Sequence, residues 1–290
     1  MKIPKRLEPL VHDGLIDEVI RPLMSGKEAS VYVVLSGGEM RCAKVYKEAH
    51  NRSFRTRASY QEGRKGRDSR QARAIAKRTR HGRKEQEDAW QSAEVDALYR
   101  LAAAGVRVPR PYACVGGVLL MELVTDDQGN AAPRLSDLEL TGAQALNYHR
   151  TLIAQVVRML CAGIVHGDLS EYNVLVGSHG PVVIDLPQAI NAAGNNNACR
   201  ILERDVDNLA GYFSRFAPEL LPTRYGKEMW QLYESGELRA DTELTGRFQA
   251  SERQADVASV LRRIDEARDE AARAQGRNAE RWSPRFATLE

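Results

Sequence analysis

The sequence predicts an α+β protein of two lobes, in which a strand-rich first part is followed by a mainly helical second part. Two pairs of strand-like segments, at residues 29–47 and 106–124, each contain a Gly-Gly turn. Paired glycines between such segments are typical of hairpins. From Ser136 onward, apolar residues recur mostly at helical spacing. A sheet followed by helices, without regular alternation of the two, is typical of the α+β class.

One helix is expected inside the strand-rich part, over residues 87–105. It has apolar residues at helical spacing and a glycine at its end: Trp90, Val95, Leu98, Leu101 and Gly105. A short helix is expected at 4–13 and a long amphipathic one at 140–163. We expect a first lobe over residues 1–121, a second lobe over 122–245, and a charged helical tail over 246–290.

The composition favours a globular protein and argues against several other classes. The chain has 290 residues, of which 43% are hydrophobic, enough to bury a core. No apolar run approaches the roughly 18 residues that a membrane span needs, and the first residues lack the apolar stretch of a signal peptide. The four cysteines lie far apart, without a CxxC pair. We therefore expect a cytoplasmic protein with reduced thiols rather than disulfides or a zinc site.

Positive charge is concentrated in one segment. The net charge of the chain is +3, but the stretch from Lys47 to Lys84 contains fourteen lysines and arginines against three acidic residues. Large apolar residues are few between about 48 and 86, which predicts a flexible insertion. Such a segment is either a solvated loop or a contact surface for RNA or another polyanion. Because aromatic residues are sparse there, any such binding would be to phosphates.

The stretch VHGDLSEYNVLV, residues 165–176, places polar side chains inside an otherwise apolar run. Burying such groups without partners is costly, so the loop is either a solvated hairpin turn or a site. Asp168 and Asn173 have the D-x-x-x-x-N spacing of a phosphoryl-transfer loop, in which the carboxylate accepts a proton and the amide reaches a metal ion. Asp185 follows twelve residues after Asn173, a gap that fits two short strands and a tight turn. The three side chains would then converge at one hairpin end.

Three more residues belong to this interpretation. Lys44 lies on a predicted strand, and Glu94 lies on the apolar face of the helix predicted after the insertion. A lysine held by an acid and aimed at phosphates would act by positioning charge, whereas an exposed pair would contribute little. We expect His166 to pack against the loop and hydrogen-bond to it rather than to transfer protons. The alternatives to Glu94 are other acids nearby, namely Glu85, Glu87 and Asp96.

Six segments together resemble the RIO family of atypical protein kinases and ATPases. They are SGKEASVY (25–32), AKVYK (43–47), LLMEL (119–123), VHGDLSEYNVLV (165–176), IDLPQA (184–189) and LERDVDNLAGYF (202–213). The resemblance runs from about Gly14 to Phe216 and is closest to the branch that lacks an N-terminal winged helix. Because HGD loops also occur in small-molecule phosphotransferases of the aminoglycoside type, the combination of segments carries the resemblance, not that loop alone.

The resemblance implies a trimmed protein-kinase-like fold with two lobes and a set of site residues. Asp168 would be the catalytic acid-base residue, and Asn173 and Asp185 would hold the metal. Lys44 and Glu94 would form the ion pair next to the phosphates. Two further groups complete the set. The loop over the phosphates would consist of Ser25, Gly26 and Lys27, in place of a G-x-G-x-x-G loop, which this sequence lacks. The adenine hinge would consist of Met121, Glu122 and Leu123.

The same resemblance implies a serine/threonine protein kinase or ATPase that uses ATP with Mg²⁺, or with Mn²⁺ as an alternative. Family members also phosphorylate the metal-binding aspartate during ATP hydrolysis, so Asp185 is expected to serve as a transient phosphoryl acceptor. The expected partners are ATP, a protein substrate, and RNA or the ribosomal small subunit through residues 47–84, with no membrane. Two alternatives stay open: a small-molecule phosphotransferase of the aminoglycoside type, and a nucleotide-gated switch that binds RNA or the ribosome.

Overall fold

A computed structural model describes residues 3–26, 28–47 and 93–248 of the chain. All of them belong to one compact unit that ends at Phe248. Four features of the sequence interpretation lie outside the described residues. They are Lys27, the basic insertion after Lys47, the start of the predicted helix at 87–92 with the acids Glu85 and Glu87, and the tail from residue 249 onward.

The first part of the fold is a five-stranded antiparallel sheet, which confirms the strand-rich first lobe of the α+β prediction. A short helix, α1 (Glu8–His12), precedes it. Its strands are β1 (Glu18–Ser25), β2 (Ala29–Ser36), β3 (Glu39–Tyr46), β4 (Pro111–Val115) and β5 (Val118–Glu122), in the order β1-β2-β3-β5-β4. Gly37 and Gly38 both have positive φ in the β2–β3 turn, a conformation that glycine adopts at no steric cost. The Gly-Gly turns therefore set the hairpins where the sequence predicts them.

One helix accompanies the sheet, and its described part, α2, covers residues 93–103. It lies in the chain between β3 and β4 and buries Ala97, Leu98 and Leu101. Gly105 follows with φ of 73°, as expected for a residue that ends a helix. A small apolar cluster packs α1 against the sheet, with Leu7, Leu10 and Ile16 at its centre.

The second part is built on helices. They are α3 (Gly142–Cys161), α4 (Ala198–Phe213) and α5 (Tyr225–Glu234), with single 3-10 turns at Leu135–Asp137, Glu171–Asn173 and Pro218–Leu220. Thr141 begins α3 with a capping box, in which its hydroxyl accepts from the Gln144 N–H and Gln144 accepts from the Thr141 N–H. Apolar residues of α2, α3 and α4 share one core, which includes Leu101, Leu152 and Leu209. This core fixes the helical platform beneath the polar loop.

Four short strands carry the polar segments between α3 and α4. They are β6 (Ile164–Val165), β7 (Val174–Gly177), β8 (Gly180–Val183) and β9 (Ile190–Asn191). β6 pairs with β9 and β7 pairs with β8. The loop from His166 to Asn173 therefore connects two different sheets, so it is not the turn of a solvated hairpin. The turn predicted at 178–180 joins β7 to β8, and Asp185 lies two residues beyond the end of β8.

Over the described ranges, no helix combines the length and the apolar character that a membrane crossing requires.

Candidate active site

Lys44 forms two ion pairs with residues that are far apart in the chain. Its Nζ lies 2.6 Å from Glu94 Oε1 and 3.0 Å from Asp185 Oδ1. β3 supplies Lys44 from the middle of the sheet, where it pairs with Val31 and Leu119. Glu94 comes from α2 and is only 5% exposed. Of the two helix acids that the structure describes, Glu94 contacts Lys44 and Asp96 is exposed; Glu85 and Glu87 lie outside the described residues.

The electrostatics of Lys44 follow from these two partners. Burial by itself lowers the pKa of the lysine, but the carboxylates of Glu94 and Asp185 outweigh that effect and raise the pKa above its usual value. The ring of Tyr46 lies 5.5 Å from the ammonium, a cation–π contact. Lys44 is therefore a fixed positive charge at physiological pH, held between the sheet, α2 and the segment after β8.

Asp185 has an unusual backbone. Its φ of 65° is the one positive value at a non-glycine position within the described parts of the chain, a conformation that costs on the order of 1 kcal/mol or more. Neighbouring contacts hold it there: the Ile184 N–H donates to the Asn173 carbonyl at 3.0 Å, and the Val183 N–H donates to the Arg107 carbonyl at 2.9 Å. The two residues before Asp185 are thus held by bonds to the loop before β7 and to the segment before β4.

The carboxyl group of Asp185 lies in surroundings that favour its ionised form. Its partial burial raises the pKa of the carboxyl, but Lys44 overrides this effect through its charge and hydrogen bond, so the pKa lies below the usual range. The carboxylate therefore remains negatively charged at neutral pH, next to the ammonium of Lys44.

His166 organises the loop and has no free nitrogen for proton transfer. The Asp168 N–H donates to its Nδ1 at 3.2 Å, so the ring hydrogen lies on Nε2, which contacts the Ile184 carbonyl at 3.1 Å. The side chain is 2% exposed. His166 thus links the segment that carries Asp168 to the one that carries Asp185, the structural role that the sequence analysis expects.

Asp168 and Asn173 meet across the loop. The Asn173 Nδ2 donates to the main-chain carbonyl of Asp168 at 2.8 Å. The Asp168 carboxylate is exposed and accepts from Gln188 Nε2 at 3.3 Å. Desolvation is the main cause that raises the pKa of this carboxyl above its usual value. An exposed carboxylate with a raised pKa is suited to accept a proton from a hydroxyl group.

Helix α4 holds the loop from below. The carboxylate of Asp205 is 1% exposed and accepts from the Gly167 N–H at 2.7 Å. Arg204 bonds the Gly167 carbonyl and lies 3.0 Å from Asp205 Oδ1, and Asn208 Nδ2 donates to the Leu169 carbonyl at 3.2 Å. Burial raises the pKa of the Asp205 carboxyl. Sequence reasoning assigned no role to these three residues, although Asp205 stands out as an acid next to Val206 and three residues after Leu202, on the apolar face of α4.

The predicted phosphate loop is described on both sides of Lys27. Ser25 ends β1, and the Gly26 N–H donates to the Ala29 carbonyl at 2.9 Å. A Cβ at Gly26 would lie 3.6 Å from that carbonyl, an ordinary contact, so the protein's own backbone does not require glycine there. Lys47, which the sequence analysis did not assign to this loop, donates to Ser25 Oγ at 3.1 Å and to the Gly26 carbonyl at 2.6 Å.

The predicted hinge begins at the end of β5. Met121 and Leu123 are half-buried. The Glu122 carboxylate accepts from both terminal nitrogens of Arg107, at 2.6 and 2.8 Å, and from the Arg110 N–H at 3.0 Å. Burial by itself raises the pKa of the Glu122 carboxyl, but the hydrogen bonds lower it below its usual value. The carboxylate of Glu122 is therefore already hydrogen-bonded to other residues of the protein.

The donor set near Asp185 fits a magnesium ion. Within the described ranges, no three His, Cys, Asp or Glu side chains form a ready-made metal cage. Mg²⁺, however, usually binds through one or two carboxylates together with substrate phosphates and water. Asp185 offers carboxylate oxygens, and the amide of Asn173 directs its nitrogen toward Asp168, so its oxygen lies on the other side. The residues present are the oxygen ligands that a hard cation prefers.

The structure brings the predicted residues together in two groups. Lys44, Glu94 and Asp185 contact one another directly, and Asp168 and Asn173 form a second group. The main-chain bond between Ile184 and Asn173 joins the groups. Ser25 and Gly26 contact Lys47 instead.

Comparisons with known proteins agree with this arrangement. The family model described as "RIO domain" matches residues 30–225. The chain is 38% identical over 209 residues to the "RIO-type serine/threonine-protein kinase Rio1" of Haloferax volcanii. The aligned part covers 71% of this chain and 67% of that protein. It is 30% identical over 213 residues to the "Serine/threonine-protein kinase rio1" of Schizosaccharomyces pombe, and 29% identical over 218 residues to the "Serine/threonine-protein kinase RIO1" of Homo sapiens.

The matched part differs in extent between these relatives. It covers 71% and 73% of this chain, but only 40% of the fission yeast protein and 36% of the human one. The chain thus spans less than half the length of these two relatives. The residues that the family model matches, 30–225, run from the second residue of β2 to the end of α4 and beyond, and they include Lys44, Glu94, Asp168, Asn173 and Asp185. The chain belongs to the RIO family.

Proposed function

We propose that this protein is a serine/threonine protein kinase of the RIO type that uses ATP with Mg²⁺, or with Mn²⁺ as an alternative metal. One observation carries the proposal: the ammonium of Lys44 lies within 3.0 Å of both Glu94 and Asp185. A lysine fixed in this way presents one positive charge to an anionic substrate, beside a carboxylate that can hold a metal. The names of the relatives support the kinase rather than the small-molecule phosphotransferase.

In the proposed reaction, Asp168 acts on the acceptor and Lys44 acts on ATP. Asp168 accepts the proton of a serine or threonine hydroxyl while the hydroxyl oxygen forms a bond to the γ-phosphorus of ATP and the bond to the ADP oxygen breaks. Lys44 stabilises the negative charge of the phosphates throughout. The raised pKa of Asp168 supports this role because it brings proton affinity closer to neutrality.

Asn173 and Asp185 would hold the magnesium ion. When bound, the ion neutralises phosphate charge and aligns the triphosphate. The protein's own contribution is to hold Asp185 in its left-handed backbone conformation, with its carboxylate charged and directed toward Lys44.

The same site supports a second acceptor. The ionised carboxylate of Asp185 is a candidate to receive the phosphoryl group transiently, with ADP as the leaving group and water as the final acceptor. This route makes the protein an ATPase, and the products distinguish the two routes. A phosphorylated serine is stable in mild base, whereas an aspartyl phosphate is hydrolysed there.

Several broader properties belong to the proposal as well. We place the two lobes at residues 1–121 and 122–245 and the tail at 246–290. The partners would be ATP, a protein substrate, and RNA or the ribosomal small subunit at residues 47–84, where the charge favours a polyanion. The cytoplasm is the proposed location. Binding to RNA over a salt series tests the basic segment, since phosphate contacts require that affinity fall as salt rises.

The central experiment compares two aspartate variants with wild type. In Asp168→Asn we expect kcat for transfer to a generic protein acceptor to fall by about 10²–10⁴, while the dissociation constant of ATP changes little. In Asp185→Asn we expect ATP binding to depend less on Mg²⁺. Asp13→Asn, an exposed position after α1, is the matched control and should behave like wild type. Undiminished ATP turnover in both site variants would exclude the proposed mechanism.

A further inference from the structure

Arg134 is anchored on the strand that leaves the polar loop. Its backbone forms an isolated antiparallel bridge with Leu175 of β7. The neighbouring Val176 N–H donates to the Pro133 carbonyl at 2.9 Å. Leu175 lies two residues after Asn173, so the Cα of Arg134 is fixed on the wall of the site that carries the candidate metal ligands.

The side chain of Arg134 reaches the opposite wall. Its Nη2 lies 3.0 Å from the sulfur of Met24 in β1, the residue before Ser25 of the predicted phosphate loop. A thioether sulfur is only a weak hydrogen-bond acceptor. Within the described ranges, no carboxylate forms an ion pair with this guanidinium. Arg134 therefore presents a positive charge between β1 and β7 with a weak partner.

The site thus has basic side chains from two different elements. Lys44 of β3 lies 3.0 Å from Asp185. Arg134, on the segment before the Leu135–Asp137 turn, connects β7 through its backbone with β1 through its side chain.

We infer that Arg134 binds the triphosphate of ATP and joins β1 to β7 through it. A guanidinium presents several N–H donors in a planar fork that matches phosphate oxygens, and such charge-assisted bonds are much stronger than a contact with sulfur. This inference rests on the proposed function and extends it, because none of the segments that carry the family resemblance includes Arg134. The nucleotide would replace Met24 as the partner of the guanidinium.

The alternative is that Arg134 is only a latch between the two walls. A latch would contribute to the stability of the nucleotide-free protein and would affect all ligands of the cleft alike. A phosphate contact instead discriminates between ligands with and without phosphates. The comparison of ATP with adenosine therefore separates the two cases.

The test measures dissociation constants of ATP and adenosine for the full chain by calorimetry in the presence of Mg²⁺. In Arg134→Gln we expect the affinity for ATP to fall about tenfold, because a charge-assisted hydrogen bond is lost, and the affinity for adenosine to stay within about twofold. Arg134→Lys keeps the charge but loses the fork, so its affinity for ATP should be intermediate. Thermal unfolding of the free variants checks that each is folded.

Arg150→Gln is the matched control, because Arg150 is an exposed arginine of α3 and the same charge is removed. It should leave both constants unchanged. Equal losses for ATP and adenosine in Arg134→Gln would show a latch and overturn the inference, as would unchanged binding of both. If wild type itself binds no ATP, the proposed function fails, and that result differs from either outcome at Arg134.

Discussion

The buried carboxylate of Asp205 in α4 accepts a hydrogen bond from the main-chain N–H of Gly167, 38 residues earlier, at 2.7 Å. Gly167 is the residue directly before Asp168. Through this bond, the helical core determines where the backbone of the polar loop lies. The side chain of Asp168 is thus exposed, while the residues on both sides of it are buried.

Replacement of Asp205 should therefore affect both stability and turnover. In Asp205→Ala the buried Gly167 N–H loses its acceptor, which should lower the free energy of unfolding by about 1–3 kcal/mol. kcat should fall as well, because Asp168 is no longer held. Urea unfolding and ATP turnover measure the two effects. Asp207→Ala, an exposed position on the same helix, should change stability by less than about 0.5 kcal/mol; equal effects at both positions would contradict the assigned role.

Loss of Lys44 should leave a buried negative charge. Glu94 is 5% exposed, so in Lys44→Met its carboxylate has no compensating cation, and the free energy of unfolding should fall by about 3–5 kcal/mol. In the double variant Lys44→Met/Glu94→Leu the buried charge of Glu94 is gone, and the remaining partner of Lys44, the Asp185 side chain, is 46% exposed, so most of the lost stability should return. Chemical unfolding of the wild type, both single variants and the double variant gives the coupling. Additive single effects would mean that the pair is not coupled.

The charge of Asp185 should make stability depend on pH. Because the pKa of its carboxyl is lowered in the folded protein, the folded state binds its proton less readily than the unfolded state. The resulting stabilisation is present above the usual aspartate pKa of 3.8 and is lost as the pH falls through the lower folded value.

Asp185→Asn isolates this term, because asparagine tolerates a positive φ. The difference in unfolding free energy between wild type and variant should be constant from about pH 7 to 5 and should shrink below about pH 4. Urea unfolding across this range provides the measurement. A difference that grows on acidification would contradict the sign of the shift.

Gly177 should tolerate no side chain. A Cβ at this position would lie 2.9 Å from Val124 Cγ1 and 3.1 Å from the Thr125 carbonyl, so the end of β7 packs tightly against the two residues that follow the predicted hinge. Gly177→Ala should cost about 1–3 kcal/mol of stability and weaken nucleotide binding. At Gly211 of α4, an added Cβ would meet nothing within 4 Å. Gly211→Ala should therefore raise stability by up to about 1 kcal/mol, and a loss at this position equal to that at Gly177 would refute the steric explanation.

Much of the fold could be predicted because local patterns specify it. The Gly-Gly turns, the helical spacing before Gly105 and the amphipathic stretch before Gly163 all correspond to observed elements. Glu94 is favoured over the other acids because it lies four residues after Trp90 and four before Leu98, on the apolar face of the predicted helix. Its pairing with Lys44 then follows from burial, since a buried carboxylate needs a cation.

Other features had no local signal. The left-handed backbone of Asp185 has no signature in IDLPQ, because the preceding Val183 and Ile184 are held by bonds to distant residues, namely Asn173, Arg107 and His166. By sequence, the loop that contains Asp168 is compatible with a hairpin turn, because the segments on both sides of it are predicted strands. In the structure these two strands, β6 and β7, do not pair with each other but with β9 and β8. The position of Arg134 could not be predicted from local sequence, because its contact with Met24 joins positions 110 residues apart.

The sequence by itself determined the residue types at the site, the strands and helices that bear them, and their order along the chain. These depend on turn chemistry and on the spacing of apolar residues, which act over a few positions. Only the tertiary structure decided that one ammonium meets carboxylates 50 and 141 residues away, and that a buried acid of α4 holds the loop that carries Asp168. Such contacts depend on how sheet and helices pack, because the hydrophobic effect that drives packing has no directional preference for particular partners.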